Sequence, residues 1–243
     1  MVPPELYAEL LALAFPLGAY RVGVADLQQI AGLPTEPEDL LVPFRRGVAL
    51  AVRLDDGIVD GLLAPEASYP GEPTPAYAQL YAGANRLLDA MAERIARFLR
   101  ERGYRARAIP ASETLSGERG ALSHKAVARA AGLGWIGRNL LLVTPEAGPR
   151  VRLSTVLTDA PLPAGEPIVG SCGRCRKCVH ACPVGALRPV PYEDYPERAE
   201  ALDVEACAAR LEQFHRQPSI GQPVCGICLA VCPVGRPKRP SAR

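Results

Sequence analysis

All eight cysteines of this 243-residue chain fall in its last third, and they constrain it more than any other feature. The first four read Cys172-Gly-Arg-Cys175-Arg-Lys-Cys178-Val-His-Ala-Cys182-Pro183. This is the C-x2-C-x2-C-x3-C-P run that wraps a cubane [4Fe–4S] cluster. The other four are Cys207 and then Cys225-Gly-Ile-Cys228-Leu-Ala-Val-Cys232-Pro233, a second copy whose leading cysteine has moved upstream. Three thiolates on a tight loop reach three corners of a cube, and the fourth comes from elsewhere. In two-cluster ferredoxins the cysteine before the proline ligates the other cluster. The expected sets are therefore Cys172, Cys175, Cys178 and Cys232 for cluster one, and Cys207, Cys225, Cys228 and Cys182 for cluster two. Two such clusters make an electron wire.

Other uses of the thiols fit less well. Disulfides need an oxidising compartment, and Glu5 and Glu9 stand where a secretory segment would be apolar. Zinc ribbons use paired C-x2-C, not four cysteines packed between 172 and 182. A net charge of +2 gives no nucleic-acid coat, and no apolar run reaches membrane-spanning length. The expectation is a cytoplasmic protein with no membrane partner.

The cysteines also divide the chain. Residues 1–160 hold none of them and read as an α/β cofactor-binding domain; 161–243 read as a ferredoxin-like double-cluster domain, after the proline-rich stretch Pro161 to Pro167. The overall class expected is α+β. Upstream, a helix is expected from Glu5 to Ala14 behind Pro3-Pro4. Strands are expected at Tyr20–Ala25, Gly47–Arg53, Tyr104–Ile109, Leu140–Val143 and Val151–Leu157. Gly57–Thr74 reads as an irregular loop. A long amphipathic helix runs from Pro75 to a Gly103 cap, with Leu80, Leu87, Leu88, Met91, Ile95, Phe98 and Leu99 on its apolar face. A short helix spans Ser123–Ala131.

Gly132, Gly134 and Gly137 then crowd around Trp135, the single tryptophan. Backbone so rich in glycine turns tightly or lies close to something large and flat. The order here is helix then glycines, which is not the dinucleotide-binding order.

The stretch Ala-Gly-Leu-Gly-Trp-Ile-Gly from 131 to 137, the Leu157-Thr158-Asp159 strand end and the two cysteine runs occur in that order. Together, from about 118 to 235, they resemble epoxyqueuosine reductase; Val22-Gly-Val-Ala25 is similar too. The resemblance implies a cobalamin held base-off by a nitroreductase-like domain, with two [4Fe–4S] clusters feeding it electrons, a plan shared by reductive dehalogenases. None of the three histidines carries an aspartate two residues before it, so a histidine-on cobalamin lacks its usual ligand motif. The family continues into a helical-repeat region that helps to hold tRNA. This chain stops after the second cysteine run, so the resemblance implies a short form from which tRNA is not expected.

An ungapped count back from Gly132 to the family's catalytic aspartate lands on Glu118, the candidate proton donor. His124 is a second candidate. Lys125, Gly132, Gly134, Trp135, Gly137 and Asn139 are the candidate corrin-binding residues. Arg174, Arg176 and Lys177 would offset the charge of cluster one, and His180 would shield or tune a cluster. The activity expected is a cobalamin-dependent iron–sulfur reductase acting on an unidentified substrate. Its electrons would come from a small molecule or from a ferredoxin or flavodoxin. The rival readings are a non-catalytic ferredoxin-type carrier and a flavin-dependent reductase.

Overall fold

A computed structural model describes residues 4–63, 72–113, 115, 120–191 and 198–236. Its backbone clusters into two compact units. One comprises residues up to Arg53, Ala82–Trp135 and Val151–Gly170; the other comprises Leu54–Tyr81, Ile136–Arg150 and Ser171 onward.

The first unit is built on an antiparallel sheet. Strand β1 (Arg21–Asp26) pairs with β2 (Arg46–Arg53), β2 with β6 (Val151–Thr158), and β6 with β3 (Ala106–Ile109), giving the order β1-β2-β6-β3. The pattern of β2 explains its place. Val48 to Val52 are all buried, as expected of a strand covered on both faces. Helix α1 (Pro4–Ala14) buries Leu6, Leu10 and Ala14. Helix α3 (Pro75–Arg100) buries Leu88, Met91, Ala92, Ile95, Ala96 and Leu99 at helical spacing, and Gly103 ends it at φ +84°. Each large apolar side chain so buried contributes about 1.5–3 kcal/mol. Leu87, expected on the same face, is instead exposed, one position off the stripe.

Helix α4 (His124–Ala130) and the turn after it pack onto β1. Gly23 makes this approach possible: a Cβ there would lie 2.4 Å from Leu133 Cδ1 and 2.7 Å from the Ala131 carbonyl oxygen. The chain then forms β4 (Trp135–Ile136), a turn closed by the Leu140 N–H on the Gly137 carbonyl, and β5 (Leu142–Val143). The expected strand over Leu140–Val143 is thus cut to two residues. Leu140 takes φ +57° in the turn and cannot extend.

The Leu157-Thr158-Asp159 motif closes the sheet. Thr158 Oγ1 donates to the Arg105 carbonyl at 2.7 Å. Asp159 accepts from the Arg105 N–H at 2.8 Å and from its Nε at 2.7 Å.

The second unit contains α2 (Asp56–Gly61) and the cysteine segments. Helix α2 corrects the expected irregular loop at its start. Asp55 caps it by accepting the Ile58 N–H at 2.8 Å, which outweighs the helix-breaking effect of Gly57; residues 64–71 of that loop lie outside the described residues. Farther on come α5 (Lys177–His180), α6 (Arg198–Ala201), α7 (Val204–His215) and α8 (Ile227–Ala230). Helix α5 follows the Cys172–Cys175 loop, α8 begins between Cys225 and Cys228, and the two short helices pack on one another. Around them Leu140, Cys178, Ala186, Leu187, Ala201 and Leu202 form a small core, joined by a Leu187–Leu202 bridge. No described helix is long and apolar enough to cross a membrane.

Candidate iron–sulfur centre and cofactor site

The second unit carries the thiols on four kinds of backbone. Cys172 and Cys175 lie on the loop before α5, and Cys178 lies within that helix. Cys207 stands in the first turn of α7, which Asp203 caps by accepting the Ala206 N–H at 3.0 Å. Cys225 precedes α8, Cys228 lies within it, and Cys182 and Cys232 follow the two short helices. None is paired in a disulfide.

Their mutual electrostatics show who neighbours whom. The thiol of Cys178 is pushed up to about 11, first by burial and then by Cys172, Cys232 and Cys175. Cys232 is raised by burial and by Cys172 and Cys175, while the Val234 N–H and the Arg150 charge act to lower it. Cys228 is raised by burial, then by Cys225, Cys178, Cys207 and Cys182. Cys225 is raised by burial and by Cys207 and Cys182. The last cysteine of each run therefore keeps company with the other run. Eight thiols in two such groups have the donor chemistry for two iron–sulfur cubes. Thiols held protonated by burial and by one another's charge release their protons when positively charged iron takes their place.

Buried cations adjoin the first group. Arg138 is 8 % exposed and Arg150 fully buried. Arg150 donates to Asp56 Oδ1 at 2.9 Å and to Asp60. Arg174, Arg176 and Lys177, read from the sequence as the charges offsetting cluster one, are exposed, as is His180; solvent screens charges so placed. Arg138 and Arg150 escaped the sequence reading because no motif spacing links them to cysteines so far along the chain.

The remaining candidates separate. Glu118 lies outside the described residues. His124 is held inside the first unit. Its Nε2 donates to the Pro110 carbonyl at 2.8 Å, so Nδ1 is left to accept the Thr155 hydroxyl at 2.9 Å. Burial, reinforced by the Arg152 charge and opposed by the Pro110 bond and Asp89, pushes its pKa down to about 4. The ring is neutral near pH 7. Lys125 is half-buried beside it. Gly132 takes φ +77° in the turn that ends α4, and Gly134 is buried. The Trp135 ring packs on Gly170, and its Nε1 is a buried donor without a partner among the described residues. Gly137 and Asn139 lie against the cysteine loops: a Cβ on Gly137 would sit 3.5 Å from Cys172 Sγ, and Asn139 Nδ2 donates to the Cys228 carbonyl at 3.2 Å.

The fold and these thiols define an iron–sulfur protein with a double-cluster module. Residues 171–235 match the 4Fe-4S double cluster binding domain. Beyond that module the chain is epoxyqueuosine reductase-like. It is 37% identical over 122 residues to epoxyqueuosine reductase of Bacillus anthracis, a match covering 47% of this chain and 30% of that protein. It is 28% identical over 245 residues to that of Gloeobacter violaceus, covering 93% and 75%. The match thus spans about a third of the first of these relatives. Among solved structures, an epoxyqueuosine reductase from Bacillus subtilis, with its catalytic aspartate loop swung out of the active site, superposes with a TM-score of 0.63 at 25% identity, covering 98% of this chain and 67% of that one. A catabolic reductive dehalogenase in complex with 3-bromo-4-hydroxybenzoic acid shares the fold, with a TM-score of 0.69 at 24% identity over 94% of this chain and 31% of that one.

Proposed function

We propose that this chain is an iron–sulfur reductase of the epoxyqueuosine reductase kind, with Cys172, Cys175, Cys178 and Cys232 holding one [4Fe–4S] cluster and Cys207, Cys225, Cys228 and Cys182 the other. The second unit, with the cysteine segments, Leu54–Tyr81 and Ile136–Arg150, forms the ferredoxin-like wire, and the first unit forms a nitroreductase-like domain where the electrons are used. The observation that carries this reading is that the likeness extends far beyond the cluster module, to nearly the whole chain, which a simple electron carrier would not need.

The substrate class follows from the relatives. A solved epoxyqueuosine reductase that superposes over 96% of this chain was captured with an epoxyqueuosine-modified tRNA stem loop. We take an epoxide in such a nucleoside as the substrate, which the sequence alone left unidentified. Reducing an epoxide to an alkene takes up two electrons and two protons and releases water. The electrons enter singly from a ferredoxin, a flavodoxin or a small reductant. A corrin cobalt, when bound, supplies a strongly reducing centre. Lys125, Gly134 and Trp135 would hold it, the indole N–H, without a partner among the described residues, being suited to a corrin amide. Glu118 is the candidate to deliver a proton.

The test is anaerobic purification, iron and sulfide analysis, titration with hydroxocobalamin, and incubation of the reduced protein with an epoxyqueuosine-modified stem loop. The expected result is about eight irons per chain, a changed corrin spectrum and a nucleoside that has lost one oxygen. Full iron with neither corrin binding nor conversion overturns the reductase reading in favour of the carrier.

A further inference from the structure

The tripeptide Gly137-Arg138-Asn139 lies well upstream of the first cysteine, yet among the described residues every polar contact it makes to a distant part of the chain goes to a cysteine loop. The Arg138 N–H points to Cys172 Sγ at 3.4 Å. Arg138 Nη1 donates to the carbonyls of Gly173 and Cys175 at 2.7 and 3.0 Å. Asn139 Nδ2 donates to the Cys228 carbonyl, and its Oδ1 accepts the Leu141 N–H at 3.3 Å, which fixes the amide's orientation. Arg138 and Asn139 are 8 % and 7 % exposed. Gly137 lets the turn close on itself: a Cβ there would lie 2.8 Å from both Asn139 Oδ1 and Val143 Cγ2.

From this geometry we propose that Gly137-Arg138-Asn139 is a clasp across both cysteine loops, and that Arg138 is a positioning residue that raises the reduction potential of the cluster held by Cys172, Cys175, Cys178 and Cys232. The proposal rests on the two-cluster reading above. Reduction adds a negative charge to a cluster that is already anionic. A buried guanidinium and an N–H aimed at a ligating sulfur both favour the reduced form, and hydrogen bonds to sulfur and local charge are among the factors that set these potentials. Burial makes the Arg138 charge count for more than the exposed Arg174, Arg176 and Lys177. Arg138 Nε is buried with no partner among the described residues, so the side chain gives up a hydrogen bond to stand there. Asn139 performs the holding role on the other loop without a charge.

The experiment is an EPR-monitored redox titration of the anaerobically reconstituted full chain. Arg138→Gln keeps side-chain donors and removes the charge. It should move the midpoint potential of one cluster to a more negative value and leave the other in place, while Arg138→Lys restores most of the shift. Asn139→Ala should leave both potentials near wild type and quicken loss of the second cluster to an iron chelator several-fold. Unchanged potentials in fully loaded Arg138→Gln overturn the charge role. If Arg138→Gln fails to hold iron, Arg138→Lys decides: faster chelation of one cluster than in wild type supports the clasp, and equal rates overturn it. Failure of the two-cluster reading shows separately, as wild-type protein with about four irons or fewer.

Discussion

Thr155 donates its hydroxyl hydrogen to Nδ1 of His124, 2.9 Å away, because the other ring nitrogen is committed to the Pro110 carbonyl. The bond ties the first turn of α4 to the central strand β6 and fixes a neutral tautomer. With a folded pKa depressed to about 4 from an ordinary 6.5, His124 contributes stability that is fully present above pH 6.5. That contribution is lost as pH falls from 6.5 through 4, and it amounts to about 3 kcal/mol at most. In iron-free protein, denaturant unfolding at pH 7.5, 5.5 and 4.5 should show a steep loss that His124→Gln flattens. Parallel losses in the two proteins would refute the assignment.

Arg150 is a buried charge whose neutrality depends on Asp56 and Asp60. Removing one partner of a buried pair costs about 3–5 kcal/mol when the other is stranded. Both aspartates here reach solvent, so Arg150→Met should fall at the lower end, about 3 kcal/mol. Asp60→Asn, acting at the more exposed partner, should cost about 1 kcal/mol or less. Chemical denaturation of the iron-free protein measures both.

Paired substitutions test the exchange of ligands between the runs. If Cys182 serves the cluster of Cys207, Cys225 and Cys228, then Cys182→Ser with Cys207→Ser should cost no more iron than either change alone. Cys182→Ser with Cys172→Ser should abolish both clusters. Iron analysis and EPR of the reduced proteins decide it; the reverse order of losses would mean that each run closes on itself.

Glu118→Gln should lower turnover of the modified stem loop by at least about 100-fold, the ordinary worth of a general acid, with iron content and both EPR signals unchanged. Full activity in this variant would remove Glu118 from the proton path.

Local patterning made most of the first unit legible. The stripe from Leu88 to Leu99 reveals α3, and the unbroken apolar run Val48–Val52 reveals β2 as a covered strand. What patterning could not supply is strand order. That β6 lies between β2 and β3 depends on pairings such as Arg53 with Val151 and Ala106 with Thr158, far apart in the chain, for which periodicity carries no signal. Leu140 misled for a local reason: a leucine in the left-handed region is rare enough that an apolar run reads as strand.

At the site, spacing alone grouped the cysteines, because a cube dictates how closely its ligands are spaced along a loop. The Gly132–Asn139 segment stood out for its glycines, but its two ends differ in what they touch. Gly132 turns the chain after α4, whereas Gly137 and Asn139 meet the thiol loops. Arg138 carries no sequence mark that separates it from a surface arginine; only its burial does.

If Cys182 and Cys232 cross between the ligand sets as proposed, the exchange bears on how the protein matures. During synthesis the first three thiols of the leading run emerge long before Cys232, and Cys182 long before Cys225 and Cys228. Neither ligand set is complete until almost the whole module has left the ribosome. Iron loading is then a single late event, and a chain that stalls anywhere between the two runs offers an assembly machine two incomplete sites in place of one finished one.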